Sequence, residues 1–211
     1  FISVLAAIAI CAGAVAADKW DHVNVQTQPE LAGNEIQFIE TMPGEVWIGT
    51  LSGLTRLRDG KYTAIKQVRI KKKRKWVKQG GKRKRVVEEV KEVKKAKLQA
   101  WDILKLGRDE YLVGTDRGIY RLQGDLMDNP AIQGYTVSPI VRYDDKTVWA
   151  LGKNKGNEQN HVFTNAGGEW KRVEAFKDKR IDDMYQTADG HIWVGIDGDG
   201  VIEVDPQKGV D

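Results

Sequence analysis

The sequence predicts an all-β chain, a β-propeller built from four-stranded blades of about 40 residues, interrupted by one long basic β-hairpin. Three observations predict it. A short motif recurs at a spacing that suits one blade. Each copy is flanked by short apolar strands and by turns rich in Gly and Asp. One spacing is too long, and the excess is a lysine-rich segment.

The motif reads Glu45-Val46-Trp47-Ile48-Gly49-Thr50 in its first copy and Glu110-Tyr111-Leu112-Val113-Gly114-Thr115 in its second. A worn copy, Thr147-Val148-Trp149-Ala150-Leu151-Gly152, precedes the last, His191-Ile192-Trp193-Val194-Gly195-Ile196. With Trp47, Leu112, Trp149 and Trp193 taken as equivalent, the spacings are 65, 37 and 44 residues. Removing the excess of roughly 25 from the first leaves a period of about 40, the length of a propeller blade.

The elements of each unit follow in a fixed order. An apolar strand comes first: Ile36, Phe38 and Ile39; Trp101, Ile103, Leu104 and Leu106; Ile140, Val141 and Tyr143; Ile181, Met184 and Tyr185. A polar turn follows, such as Met42-Pro43-Gly44 or Ala188-Asp189-Gly190, whose Gly and Asp tolerate the dihedrals of a tight hairpin. The Trp-centred strand is next. A third strand alternates with period two, as in Leu54, Arg56 and Leu57, or Ile119, Arg121 and Leu122, or Val201, Glu203 and Val204. Outer strands are expected at Tyr62–Ile65 and Trp170–Val173. The Gly that closes the Trp strand is expected where backbones crowd, because it has no Cβ. The tryptophans are expected to pack between neighbouring sheets rather than to stack on a ligand.

The string Val46-Trp47-Ile48-Gly49-Thr50, two variable residues, then Gly53-Leu54-Thr55-Arg56-Leu57, resembles the two-component-regulator propeller repeat. The resemblance covers about residues 35–65, 99–122 and 180–205, with a degenerate copy at 137–173. It implies an exported bacterial propeller, periplasmic or secreted, of the kind used in sensor regions. It implies no particular ligand, because function resides in sites grafted on a fold. Members of the family usually carry more than four blades, so the chain is expected to be a fragment of a larger propeller. The alternative is a closed four-bladed ring in which Trp20 to Gln26 supplies the outer strand of the last blade.

Residues 1–17 are uncharged, and Ala14-Val15-Ala16 offers a small-x-small cleavage site, so they read as part of a signal peptide with its positive start absent. The alternative is an uncleaved anchor, for which the apolar run is short. The only cysteine, Cys11, lies inside this segment behind Ile10, which argues against lipidation and leaves residues 18–211 without thiol chemistry.

Residues 66–98 hold 16 Lys and Arg against three Glu, a net +13. The whole chain is +4, so the remainder is −9. Gly80-Gly81 predicts a two-residue hairpin loop. Folding about it places Gln79 opposite Lys82, Trp76 opposite Arg85, Lys73 opposite Glu88, Lys72 opposite Glu89, Arg69 opposite Glu92 and Val68 opposite Val93. Opposite charges thus face across the strands, as cross-strand pairs favour. The competing reading is a helix over Val86 to Lys97. The hairpin is expected to extend the outer strand of the first unit and return to the next blade. Its candidate polyanion-binding residues are Lys71, Lys72, Lys73, Arg74, Lys75, Trp76, Lys78, Lys82, Arg83, Lys84 and Arg85. The partners expected are an anionic envelope polymer or lipid head groups, ahead of nucleic acid. A solvated insertion that binds nothing is the plain alternative.

No catalytic, metal or cofactor motif is found. His22, His161 and His191 are scattered and lack metal spacing. His191 sits at the turn position where other copies have Glu45, Glu110 and Thr147, so it is expected to be an exposed hairpin residue. Asp197-Gly198-Asp199-Gly200 is read as a turn, because it lacks the spaced ligands of a calcium loop. The polar loop Gly156-Asn157-Glu158-Gln159-Asn160 lengthens the third unit. The function expected is a non-enzymatic module that binds a ligand or protein partner at the propeller face or on the basic hairpin. The rivals are a glycan- or lactone-cleaving propeller enzyme and an assembly scaffold.

Overall fold

The computed structural model describes residues 23–204, apart from residues 129, 155, 157, 158 and 167. The signal-peptide segment 1–17 with Cys11, together with Trp20, His22, Asn157 and Glu158, therefore lies outside the described residues.

Four antiparallel meanders follow one another. The first runs β1 (Ile36–Met42), β2 (Glu45–Thr50), β3 (Gly53–Arg58) and β4 (Lys61–Ala64). Then come the paired strands β5 (Lys66–Gln79) and β6 (Lys82–Lys95). The second meander is β7 (Ala100–Gly107), β8 (Glu110–Thr115), β9 (Gly118–Gln123) and β10 (Leu126–Met127). The third is β11 (Tyr135–Arg142), β12 (Val148–Asn154), β13 (His161–Thr164) and β14 (Lys171–Arg172). The last is β15 (Ile181–Gln186), β16 (Ile192–Ile196) and β17 (Gly200–Val204). The motif strands are β2, β8, β12 and β16, each second in its sheet, as the repeat predicts.

The first strands of the sheets pack in series, β1 on β7, β7 on β11 and β11 on β15, so they line the inner side of an arc. Ring closure is not seen among the described residues. Residues 23–26, which the closed-ring alternative would make part of an outer strand of the last sheet, form part of a turn, in which the Asn24 side chain accepts the N–H groups of Gln26 and Thr27. The neighbouring segment packs on the first sheet: Ala32 N–H donates to Thr55 Oγ1 at 2.8 Å, and Leu31 is buried.

The core lies between sheets, not within any one of them. Alternation along each motif strand sends one side chain forward to the next sheet and its neighbour back. Trp47 points forward and meets Tyr111, which points back, with ring centroids 4.7 Å apart. Leu112 joins Val137 and Ile140 between the second and third sheets. Trp149 stacks on Tyr143 and meets Phe176 edge-on, in a cluster shared with Met184 and Val194. Trp193 departs from the pattern: it is 37% exposed, against 0% for Trp47, because no described sheet covers its face.

Gly49, Gly114 and Gly152 are crowded, but not all by the same neighbour, whereas a Cβ on Gly195 would come no nearer than 3.7 Å to Asp183, so the expected crowding fails there. A Cβ on Gly114 would lie 2.2 Å from the Val137 carbonyl oxygen on the next inner strand, the close backbone approach expected there. A Cβ on Gly49 would instead strike the Phe38 ring within the same sheet, at 2.0 Å.

Candidate functional site

The paired strands β5 and β6 form the hairpin the sequence predicts, about Gly80-Gly81 and in the predicted register. Lys73 faces Glu88, Lys72 faces Glu89, Arg69 faces Glu92 and Trp76 faces Arg85. Both glycines have positive φ, 59° and 79°, as a tight two-residue loop requires. Each strand has 14 residues, about 45 Å at roughly 3.3 Å per residue.

Its root differs from the expectation. The hairpin does not prolong β4, which ends at Ala64. It joins the second sheet, whose order is β6-β5-β10-β9-β8-β7. Lys66 and Gln67 pair in parallel with Leu126 and Met127 of β10, and Lys66 N–H donates to the Asp125 carbonyl. The reason is covalent reach: Ile65 still donates to Leu54 of the first sheet, so one residue later the chain has crossed to the second. From Val68 onward the arm leaves the sheet, and almost all of its side chains are exposed.

Period two sorts the candidate residues onto two faces. Lys72, Arg74, Trp76, Lys78, Arg83 and Arg85 share one face. Lys71, Lys73, Lys75, Lys82 and Lys84 share the other. The lysine face carries most of the ion pairs made within the arm. Lys71 and Lys94 both reach Glu92 at 2.8 Å, and Lys75 reaches Glu88 at 2.7 Å. Lys71, and then Lys94, hold the Glu92 carboxyl down at about 2, and Lys75 likewise depresses Glu88. Two of these pairs are diagonal rather than directly opposite, because Lys75 and not Lys73 reaches Glu88, and Lys71 reaches Glu92. On the arginine face, among the described residues, the one ion pair made within the arm is Lys72 to Glu89 at 3.8 Å. Among the described residues no ion pair involves Lys73, Arg74, Lys78, Lys82, Arg83, Lys84 or Arg85.

A cleft of about 510 Å³ opens at the hairpin root, at the seam of the first two sheets. Its walls include Leu31, Ile65, Leu98, Lys97 and Arg117. Lys95 spans its edge, 3.4 Å from Glu30 and 3.3 Å from the Pro29 carbonyl. Its walls come from five separated segments, so no local pattern in the sequence marks it.

The same seam carries a buried charge network that the repeat analysis missed. The Glu45 side chain is 1% exposed and accepts from Arg58 at 2.6 Å, from Lys105 at 3.1 Å and from the Tyr111 hydroxyl. Burial opposes its ionisation, yet the hydrogen bonds from Tyr111, Arg58 and Lys105 bring its pKa down to about 2. Burial and then the Glu45 contact push Tyr111 up to about 12. Arg58 also reaches Asp109 at 2.6 Å, and Arg56 reaches Asp125 at 2.5 Å. Asp125 thereby holds the first sheet with its side chain and the hairpin with its carbonyl. The arrangement can lock sheets together.

The remaining candidates sit apart. His161 is buried beside Tyr135 and Phe163, and burial lowers its pKa. His191 is partly exposed, with Nδ1 2.6 Å from Glu203. In the Asp-Gly turn, Asp197 pairs with Arg180 and Asp199 with Lys179, while Gly198 and Gly200 take positive φ.

No family model and no curated protein matches the chain. Among solved structures it is similar to the extracellular domain of a protein described as the hybrid two component system BT4673 of B. thetaiotaomicron. The TM-score is 0.56 and the identity 14%, over 85% of this chain and 24% of that one. It is also similar to the extracellular domain described for the hybrid two component system BT3049 of B. thetaiotaomicron. There the TM-score is 0.52 and the identity 14%, over 86% of this chain and 22% of that one. The chain thus spans about a quarter of the length of each. The likeness carries the fold: propeller-like blades of the kind found in those extracellular domains.

Proposed function

We propose that the chain is a non-enzymatic, exported propeller module of sensor type, and that its hairpin is the element that meets a polyanionic partner. The carrying observation is the segregation of charge. An arm of net +13 projects from a remainder of net −9, with most cations near its tip free of carboxylate partners among the described residues. Such a surface raises the local concentration of a polyanion and speeds its encounter. The sensor reading draws support from the fold shared with extracellular domains and from the motif strings themselves. Export is supported by the uncharged N-terminal run.

The test is retention on a heparin column. The intact chain is expected to elute at higher salt than a chain in which residues 69–95 are replaced by Asn-Gly, because each phosphate- or sulfate-like contact releases counterions. Equal elution of the two in low salt would remove the proposal. Glycan- or lactone-cleaving activity in the intact chain would favour the enzyme class instead.

A further inference from the structure

The two faces of the hairpin are unequal in a way that a purely ionic partner does not explain. Among the described residues, the arm has four large apolar side chains standing clear in solvent, and all four are on the arginine face. Trp76 is 68% exposed, Val87 54%, Val93 52% and Ile70 46%. The valines of the lysine face, Val77, Val86 and Val90, are by contrast half-buried beneath their neighbours. Among the described residues, three of the four ion pairs made between residues of the arm also lie on the lysine face. One face therefore partly covers its valines and pairs part of its charge internally, while Lys73, Lys82 and Lys84 stay exposed. The other presents Trp76, Val87 and Ile70 beside Arg74, Arg83 and Arg85.

We infer that the arginine face docks on an anionic lipid surface, with Trp76 and the aliphatic side chains entering the head-group region and the arginines holding lipid phosphates. This inference rests on the polyanion reading above and names the partner. Soluble polysaccharide or nucleic acid would satisfy the cations. Nucleic acid bases would also stack on Trp76. Neither gives Val87, Val93 and Ile70 an apolar medium. A bilayer interface satisfies both kinds of group at once: amphipathic rings settle at head-group level, and long cationic chains keep their charge at the phosphates while their stems lie along apolar surface. Attraction to anionic lipid acts per cation and adds to the buried apolar area. The arm's length carries this face well clear of the acidic sheets, which the same lipids repel.

The experiment uses the intact chain with vesicles of phosphatidylcholine alone and of phosphatidylcholine mixed with phosphatidylglycerol. Cosedimentation and heparin retention are measured in parallel. Binding is expected to the mixed vesicles only. Ile70→Ser with Trp76→Ser and Val87→Ser is expected to lower vesicle partitioning by about tenfold or more, the loss of a few buried CH₂ equivalents, while heparin elution hardly moves. Brominated lipid is expected to quench wild-type emission more than that of Trp76→Phe. These positions are exposed, and the melting temperature of each variant confirms that the fold is intact.

Vesicle binding that ignores the triple variant, or equal quenching of wild type and Trp76→Phe, overturns the inference and leaves a charge-only polyanion site. Heparin retention without vesicle binding does the same. A low-salt dimer that the triple variant abolishes overturns it in favour of a second copy of the chain. Failure of both heparin and vesicle binding overturns the polyanion reading itself.

Discussion

Glu45 shows how far one side chain can tie two sheets together. It leaves β2 and finds Arg58 in its own sheet, then Lys105 and Tyr111 in the next. Because its folded pKa is about 2, below the ordinary 4.5, its contribution is complete above about pH 4.5 and is lost as pH falls through about 2. Acid melting curves are therefore expected to drop across that window, and less steeply for Glu45→Gln. At neutral pH the same variant is expected to lose about 1.5–3 kcal/mol by chemical denaturation, the range for hydrogen bonds to a charged group, because Arg58 keeps Asp109 and both cations remain partly in solvent. Gly114 is a second sensitive position. Gly114→Ala drives a Cβ into the Val137 carbonyl and is expected to cost about 1–3 kcal/mol, read from the same denaturation curves.

Each sheet borrows its stability from the next. Asp102 of β7 accepts the Ile140 N–H of β11 at 2.6 Å, and Gln186 of β15 accepts the Arg142 N–H at 3.0 Å, so every seam has a polar clasp beside its apolar filling. The position of an equivalent tryptophan then decides its worth. Trp47→Ala is expected to cost about 3–5 kcal/mol, whereas Trp193→Ala, on a face that no described sheet covers, is expected to shift the melting temperature little. Much of this level was legible in the sequence. The repeat located β2, β8, β12 and β16, and Gly80-Gly81 with period-two alternation located every cross-strand pair of the hairpin. What escaped depends on distance along the chain. Glu45 looked like a turn residue because the equivalent position varies, with Glu110, Thr147 and His191 in the other copies, and its partners Lys105 and Tyr111 lie on another sheet. The root escaped because β10 is two residues long and pairs in parallel with a strand about 60 residues earlier, which no local pattern reveals. The apolar asymmetry of the arm was present in the alternation but needed exposure to become visible.

At the scale of the molecule, a mildly basic total conceals an acidic arc bearing a basic arm. Arm and arc are nearly independent: the arm touches the second sheet through Lys66 and Gln67, and its ion pairs are exposed and worth little individually. Replacing residues 69–95 by Asn-Gly is thus expected to leave the melting temperature within a few degrees of wild type, checked by far-ultraviolet circular dichroism. The pairing of Lys66 with Lys95 has a further meaning. A floppy connection of that length would have to be closed against chain entropy, at a cost that rises with the logarithm of its length. Here the insertion zips up locally and delivers its own two ends side by side, so the neighbouring sheets experience only a short link. Adding or removing a cross-strand pair near Gly80-Gly81 leaves that link unchanged. The arm's reach can accordingly be retuned two residues at a time, with the seam beneath it none the wiser.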